Sequence, residues 1–519
     1  MAGLLDSYLA GAPELRAAYA AGPESVASHP IPARPWDAAL VGEMRAYQAR
    51  IGGTAQVEGG EGVIITGQQP GIFTGPLYTI YKAITAIRLA ESLQRETGTP
   101  FVPVYWVGGD DHDFDEIRRV HLLSKTHTAV PLALAPLASA GARSIFQIPV
   151  DPALHGLVDE AARVATGSEF TEEVRAFLHK SLEASANLSE WHARLMARLF
   201  RDTPLVFFTP ELPAARAAAR PVFQREIESP LESTARVNEG GALLDAAGYG
   251  AQVVKAEDAC NFFLEHGGQR CRVRYVEGRF LLPDTGDAFT PDTMLSLLDA
   301  APDRFTANVA LRCIVQQHLF PARAYVAGPG ELAYWGQLKG LFAHFDVPMP
   351  VVYPRSRAVL TTLKTNKLLK KYGFRPDDFL ESPGGREERA LRASGSDPAL
   401  EVLTRHRAAL EAELDAMARD FGALGRAGKA AGDLAGSFGG QVRRGLDHLE
   451  RTLLRADENR TASVRAQLDR LSAELAPERK PQERCYTIFS WVFQHGWGLV
   501  PRLIRELDPA NHGVQEVEL

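Results

Sequence analysis

The chain has 519 residues, of which 45% are hydrophobic and 23% charged, with 57 Lys and Arg against 64 Asp and Glu for a formal charge of −7. That balance excludes a disordered or collagen-like chain and offers no footprint for general nucleic-acid binding, while the length predicts several domains with real cores. The N-terminus places Asp6 and Glu14 inside its apolar stretch without a basic leader, so no signal peptide is expected, and no run is apolar enough to span a membrane.

Val63 to Thr66 is an apolar run suited to a buried strand. It leads through GQQPGIFTGP into a periodic stretch, Leu77 to Gln94, that predicts a helix with Thr74 as N-cap and Pro76 in the first turn. Phe101 to Val107 predicts a second strand and runs into GGDDHDFDEI. Residues from about 130 to 180 begin with an Ala/Pro/Leu run and then turn helical. Leu205 to Phe208 reads as another buried strand. Residues 236–305 contain CNFFLEHGGQRCRVRYVEGRFLL, a small antiparallel element with turns at Gly267-Gly268 and Glu277-Gly278. Ala324 to Ala327, the loop GPGE and a helix from Leu332 to Phe345 repeat the strand–loop–helix pattern, and Val351 to Tyr353 adds a strand. This alternation predicts an α/β fold, a parallel sheet covered on both faces, with the special loops gathered beyond the strand carboxyl ends.

From about residue 397 the apolar spacing becomes an a/d seam: Leu403, Leu410, Leu414, Met417, Phe421 and Leu424. After a Gly-rich break, Gly422 to Gly440, it resumes at Val442, Leu446, Leu449 and Leu453. Past the polar patch 456–461 it returns at Val464, Leu468, Leu471 and Leu475. An antiparallel coiled-coil hairpin is expected, able to pair with a second chain or to pack on its own core. The tail CYTIFSWVFQHGWGLVPRLI is too aromatic to stay in water and is expected to dock on the main body. Four cysteines, Cys260, Cys271, Cys313 and Cys485, form no C-x-x-C pair. A Cys260–Cys271 disulfide is conceivable, but so sparse a set fits a reducing, cytoplasmic setting.

Three loops can carry chemistry. In TGQQPGIFTGP, Gly67, Gly71 and Gly75 allow tight turning and close approach at a helix start, a place that favours an anion, although the loop is neither a Walker A nor a GxGxxG motif. Gln68 and Gln69, side by side, are costly to desolvate unless they bind something. In GGDDHDFDE, Asp110, Asp111, His112 and Asp113 come directly after a buried strand. Mutually repelling carboxylates beside one imidazole suggest a metal site, a cradle for an amine, or acid/base work by His112. Asp115 and Glu116 are accounted for by a helix start. In GPGELAYWGQLK, Glu331 opens a helix, while Tyr334 and Trp335 stack on a ligand ring or fill core. Asn308, Arg312 and Arg355 can clamp a carboxylate.

Taken in order between about residues 60 and 360, TGQQPGIFTGPLYTIYKAI, VYWVGGDDHDFDEI, NVALR, YVAGPGELAYWGQLK and VVYPR resemble the cysteine ligase family of bacillithiol biosynthesis. The resemblance implies a Rossmann-like core in three parts (1–130, 183–235 and 306–372) with connecting inserts at 131–182 and 236–305. It further implies a helical coiled-coil dimerisation arm at 373–480 and a C-terminal segment, 481–519, docking on the core. The implied reaction joins the carboxyl of cysteine to the amine of glucosaminyl-malate, giving bacillithiol. That carboxyl needs activating, with ATP as the expected cosubstrate. No tightly bound cofactor, metal, nucleic acid or membrane partner is implied, and the expected assembly is a cytoplasmic homodimer.

On this reading Gly67, Gln68, Gln69, Gly71, Thr74 and Gly75 hold a phosphate or malyl end. Asp111, His112 and Asp113 bind the amine and shuttle its proton, oriented by Asp110. Glu331, Tyr334 and Trp335 line a sugar or adenine pocket, and Asn308, Arg312 and Arg355 grip carboxylates. The chain departs from the family pattern at Cys313, where Pro is common, at Gln316-Gln317, where a Gln-Asp pair is common, and at Thr209-Pro210, where an acid is expected. The H-x-G-H and K-M-S-K-S signatures of nucleotidyl-transferring folds are absent, and Thr74-Gly75-Pro76 stands where the first would lie. Two rival readings are a ligase or nucleotidyltransferase for another amine, and a non-catalytic dimer that senses a nucleotide or sugar.

Overall fold

The computed structural model describes residues 3–30, 34–59, 62–136, 143–394, 398–455 and 458–519. The chain forms two compact units, Met1–Val359 with Glu483–Val517, and Leu360–Gln482 with Glu518–Leu519.

The first unit is built on five parallel strands, β1 (Gly62–Gln68), β2 (Phe101–Val107), β3 (Val206–Phe208), β4 (Ala322–Ala327) and β5 (Val351–Pro354). Their order is β5-β4-β1-β2-β3. The chain lays down β1, β2 and β3 in one direction and returns to β4 and β5 on the other side. The switch therefore falls between β1 and β4, where a crevice opens beyond the carboxyl ends. Every residue of β2 and β4 is buried, the reason these strands read as unbroken apolar runs.

Helix α1 (Tyr78–Thr97) covers one face of the sheet. Its Ala86, Leu89, Ala90 and Leu93, at helical spacing, pack with Ile64, Ala324, Val326, Val351 and Tyr353, alternate residues of three strands. Thr74 is not its N-cap. Phe73 and Thr74 sit in a tight turn with φ of 50° and 67°, and Thr74 Oγ1 donates to the Phe73 carbonyl at 2.6 Å. The C-terminal tail holds this left-handed turn: Thr487 Oγ1 donates to the Phe73 carbonyl at 2.7 Å and Leu77 N–H donates to the Tyr486 carbonyl at 2.8 Å. The Phe73 ring meets Trp191 and Phe489 edge-on. Sparse backbone conformations persist where surroundings over-determine them in this way.

After β2 comes the short helix α2 (Phe114–Ile117), then a hairpin of Arg119–Leu123 with Ala129–Ala133 and helices Ala153–Val164 and Thr171–Glu183. Residues 137–142 of the Ala/Pro/Leu run lie outside the described residues. Helix α3 (Pro213–Glu228) comes after β3. Ala259–His266 and Gln269–Val276 pair antiparallel, and both Gly267-Gly268 and Glu277-Gly278 take the positive φ that tight hairpin turns require. Helix α4 (Leu311–Leu319) precedes β4. All four cysteines are buried, and Cys260 and Cys271 form no disulfide.

The single helix expected from Leu332 to Phe345 is two, α5 (Pro329–Trp335) and α6 (Lys339–His344). Gln337 causes the break. Its Oε1 accepts from Gln252 and Val253 N–H at 2.8 and 2.9 Å, and its Nε2 donates to the Val253 carbonyl at 2.8 Å. Its backbone also lies against Gly240, where a Cβ would come 2.1 Å from the Gln337 carbonyl oxygen. Tertiary hydrogen bonds here override local periodicity.

In the second unit α7 (Pro398–Ala423) and α8 (Gly425–Arg455) form an antiparallel hairpin, succeeded by α9 (Glu458–Leu475). Arg407 on α7 reaches Asp447 and Glu450 on α8, and Arg443 pairs with Asp415. The Gly-rich stretch breaks the helix only near its start. Gly422 lies within α7, the chain turns at Gly425 (φ 66°) and the later glycines lie within α8; a Cβ on Gly428 would come 2.0 Å from the Phe421 carbonyl oxygen. Leu403, Val464, Leu468, Leu471 and Leu475 are buried, and so is Leu454 rather than Leu453. Leu410, Phe421, Leu424 and Leu449 are exposed, with Leu434 and Phe438. Of the polar patch, residues 456–457 lie outside the described residues. Among the described residues no helix is long and apolar enough to cross a membrane.

Candidate active site

A cavity of about 660 Å³ opens at the switch point of the sheet, walled by the ends of β1 and β2, the loop after β2, and the Gly328–Glu331 turn after β4. It brings together Gly67, Gln68, Gln69, Asp110, Asp111, His112, Asn308, Arg312, Glu331, Tyr334 and Arg355. Gly71, Thr74, Gly75, Asp113 and Trp335 do not line it. The Gly71 carbonyl accepts from His192 Nδ1 at 3.1 Å, and Thr74 is wholly buried. With Leu77 N–H bonded to Tyr486, the tail occupies the helix start expected to cradle a phosphate. Trp335 is core, stacked on Tyr325 and Phe342 with centroids 4.5 and 5.6 Å away. Asp113 caps α2, accepting from Glu116 N–H at 3.1 Å.

The acidic run disperses once folded. Asp110 pairs with Arg216 of α3. Asp111 accepts from His112 N–H at 2.7 Å through Oδ1 and from the Gln69 amide through Oδ2. Among the described residues no group of three or more His, Cys, Asp or Glu could hold a metal ion. His112 Nδ1 lies 2.8 Å from a terminal nitrogen of Arg270. Burial, then Arg270, holds the His112 pKa below its ordinary value against the pull of Asp111 and Asp113. Glu116, which also lines the cavity, is pushed above the ordinary carboxylate value by burial, with Asp113 and Asp111 adding to it.

Lys82 ties two walls together. Its Nζ donates to the Gly67 carbonyl at 2.8 Å and to Gln68 Oε1 at 3.0 Å, and pairs with Glu331. Burial lowers the Lys82 pKa while Glu331 raises it. Glu331 also accepts from Tyr325 OH and, at 2.9 Å, from Gly328 N–H. Burial pushes the Glu331 carboxyl up, but Lys82 and these donors bring it below the ordinary value.

Two of the three expected carboxylate clamps are already occupied. Arg355 grips Glu483 with two bonds, at 2.9 and 2.7 Å. Asn308 caps α4 through Ala310 and Leu311 N–H, both at 3.0 Å, and donates to Asn261 at 2.8 Å. Arg312 donates to Tyr334 OH at 2.7 Å, while Arg270 lies 3.7 Å above the Phe263 ring and donates to Thr306 and the Ala307 carbonyl. Among the described residues neither Arg270 nor Arg312 has a carboxylate within ion-pair distance. Burial brings Arg270 down to about 10, still cationic at neutral pH. Two half-buried guanidiniums thus line the cavity without a carboxylate partner, a setting able to receive an anion.

Lys82, Glu116 and Arg270 were not singled out by sequence. Tyr78 and Lys82, four apart at the start of an otherwise apolar helical face, are a signal that could have been read. Arg270 offers none, since it alternates with Arg272 and Arg274 on one hairpin strand.

Comparison with known proteins agrees with this architecture. Residues 43–356 match the family model "Bacillithiol biosynthesis BshC, N-terminal Rossmann-like domain", and residues 358–519 match the C-terminal coiled-coil domain of the same family. Relatives with the name "Putative cysteine ligase BshC" include one from Salinibacter ruber, 34% identical over 87% of this chain and 82% of that protein. Others come from Geobacillus kaustophilus, 31% identical over 86% and 83%, and Symbiobacterium thermophilum, 31% identical over 86% and 82%. With both domain models matched in order along the chain, this protein belongs to the bacillithiol biosynthesis BshC family.

Proposed function

We propose that this protein is a ligase that adds cysteine to glucosaminyl-malate, forming bacillithiol. The carrying observation is the uncompensated pair Arg270 and Arg312 in a cavity that also presents Asp111 and Glu116. A malyl group supplies two carboxylates for the guanidiniums, and the sugar amine needs an acidic neighbour to take its proton. Amide formation from a free carboxylate is unfavourable in water, so the cysteine carboxyl reacts as a mixed anhydride with phosphate, made from ATP. The lining fits a polyphosphate by charge, through Lys255 and Arg484, rather than by a glycine-rich cradle. The exposed apolar residues of the hairpin arm, Leu410, Phe421 and Leu449 among them, support a homodimer through that arm. The buried thiols of Cys260, Cys271 and Cys313 fit a cytoplasmic enzyme.

The test is mass spectrometry on the purified protein given cysteine, glucosaminyl-malate and ATP, with an ATP-free control. Bacillithiol together with AMP supports an acyl-adenylate, and ADP an acyl phosphate. Failure to form bacillithiol while another amine is acylated replaces the substrate assignment, and binding without turnover of any amine gives the sensing reading.

A further inference from the structure

The contact between Arg270 and His112 bears on how the reacting groups share the work. A guanidinium has N–H donors and no acceptor, and Arg270 remains charged, so the nitrogen facing it at 2.8 Å carries a lone pair. That nitrogen is Nδ1; Asp111 Oδ1 also lies near it, at 3.5 Å, farther away than the Arg270 nitrogen. In a neutral imidazole the proton is then on Nε2, which has no hydrogen-bond partner among the described residues while the ring lines the cavity. A histidine in this state has its only lone pair occupied and offers the cavity an N–H. It is built to donate, not to accept a proton.

Arg270 is itself fixed on every side: Nε donates to Thr306 at 2.9 Å, one terminal nitrogen to the Ala307 carbonyl at 3.2 Å, and the plane rests on Phe263. The groups that face His112 are Arg270, Asp111, Asp113 and Arg272. Among the described carboxylates that line the cavity, Glu116 is the one with neither a cation at ion-pair distance nor a backbone N–H on it, although it shares the Gln69 amide with Asp111. Asp110 is held by Arg216, Asp111 by Gln69 and the His112 N–H, Asp113 by its cap, and Glu331 by Lys82. Glu116 is faced by Asp113, Asp111, Gln69 and Lys82.

Resting on the ligase reading, we propose that Arg270 is a positioning residue that keeps His112 as the Nε2–H tautomer, so that His112 donates a hydrogen bond to the reacting carbonyl oxygen while Glu116 takes the proton of the attacking amine. In this step the amine nitrogen bonds to the acyl carbon of the cysteinyl mixed anhydride. The bond from that carbon to the phosphate oxygen breaks with its electron pair on the phosphate, and the amine proton ends on Glu116. The negative charge that develops on the carbonyl oxygen meets the ring Nε2–H of His112, the role of a neutral imidazole electrophile.

The first measurement needs no turnover. In the full-length protein labelled with ¹⁵N-histidine, the His112 signals, assigned by their loss in His112→Gln, are expected to show a neutral ring protonated on Nε2 at pH 7. Arg270→Met, which removes the donor, is expected to weaken that preference and shift the proton toward Nδ1 beside Asp111, whereas Arg270→Lys, which keeps a cationic donor, is expected to retain it. A proton on Nδ1, or an imidazolium, overturns the proposal whatever the enzyme's substrate. The second measurement uses bacillithiol formation. His112→Gln keeps an N–H donor without a basic nitrogen and is expected to retain roughly a tenth of kcat, whereas His112→Ala loses about 100- to 1,000-fold. The acid limb of kcat/KM is expected to persist in His112→Gln and vanish in Glu116→Gln. Equal losses in the two His112 variants, or an acid limb that disappears with His112 instead, overturn the assignment.

Discussion

Replacing Lys82 by Met tests the tie between the two walls of the cavity. The lysine side chain is 2% exposed and Glu331 22%. The methionine would fill most of the aliphatic volume but leave Glu331 with only Tyr325 OH and Gly328 N–H, and the Gly67 carbonyl and Gln68 amide oxygen without a donor. Removing one partner of a buried ion pair costs about 3–5 kcal/mol, and the partial exposure of Glu331 places the expected loss near the lower end. Urea unfolding monitored by tryptophan fluorescence measures it, since Trp335 stacks on Tyr325, the ring that bonds Glu331. The pH dependence has a definite sign. In the parent protein the folded Glu331 pKa lies below its ordinary 4.5, so its stabilisation is present above pH 4.5 and lost as pH falls through the folded value. Without Lys82, burial raises that pKa instead. The deficit of the variant is therefore largest at neutral pH and shrinks on acidification, as Glu331 takes up a proton. Glu331→Gln added to Lys82→Met should recover most of the loss, because an amide needs no cation. A loss under about 1 kcal/mol at pH 7, or one that Glu331→Gln does not relieve, refutes the reasoning.

Other consequences are as direct. Burial raises the Glu211 carboxyl from 4.5 to about 7, so native stability falls as pH rises across that window. Glu211→Gln should be more stable than the parent by up to roughly 3 kcal/mol at pH 8, with the gap closing below pH 4.5 in chemical denaturation; a pH-independent difference contradicts the burial argument. Gly240→Ala forces a methyl against the Gln337 carbonyl and should cost about 1–3 kcal/mol of stability, measured by the same unfolding; an unchanged midpoint would show that the contact yields. Leu410→Glu with Phe421→Glu should convert a dimer into a monomer in sedimentation equilibrium with unchanged circular dichroism, and a monomeric parent protein at micromolar concentration would remove the arm as a dimer surface.

The strands were legible because a parallel sheet covered on both faces needs near-continuous apolar runs, and Phe101 to Val107 is such a run from end to end. The loops that wall the cavity were legible for the same reason, since each begins where an apolar run stops. Individual side-chain duties were less so. Arg355 and Asn308 look like free clamps until Glu483, 128 positions away, and Asn261, 47 positions away, occupy them. The glycine loop reads as an anion cradle because nothing local shows that Tyr486 and Thr487 return to fill it. The break at Gln337 and the continuity of the Gly-rich helix α8 have the same origin, a distant or facing backbone that accepts only a bent or a bare surface.

What this chain's sequence determined by itself is the kind of structure and where its chemistry collects: periodicity and burial are local properties of a strand or helix, and motif order identifies the family. What only the tertiary structure decided is which charges are spent and which remain. An ion pair or a cap is a relation between residues far apart in sequence, and it changes a side chain from ligand to scaffold without altering a single neighbour along the chain. Arg355 and Glu331 are spent on Glu483 and Lys82, while Arg270 and Arg312 reach the cavity with their charge uncompensated, because only folding sets the distances on which Coulomb energy and hydrogen bonding depend.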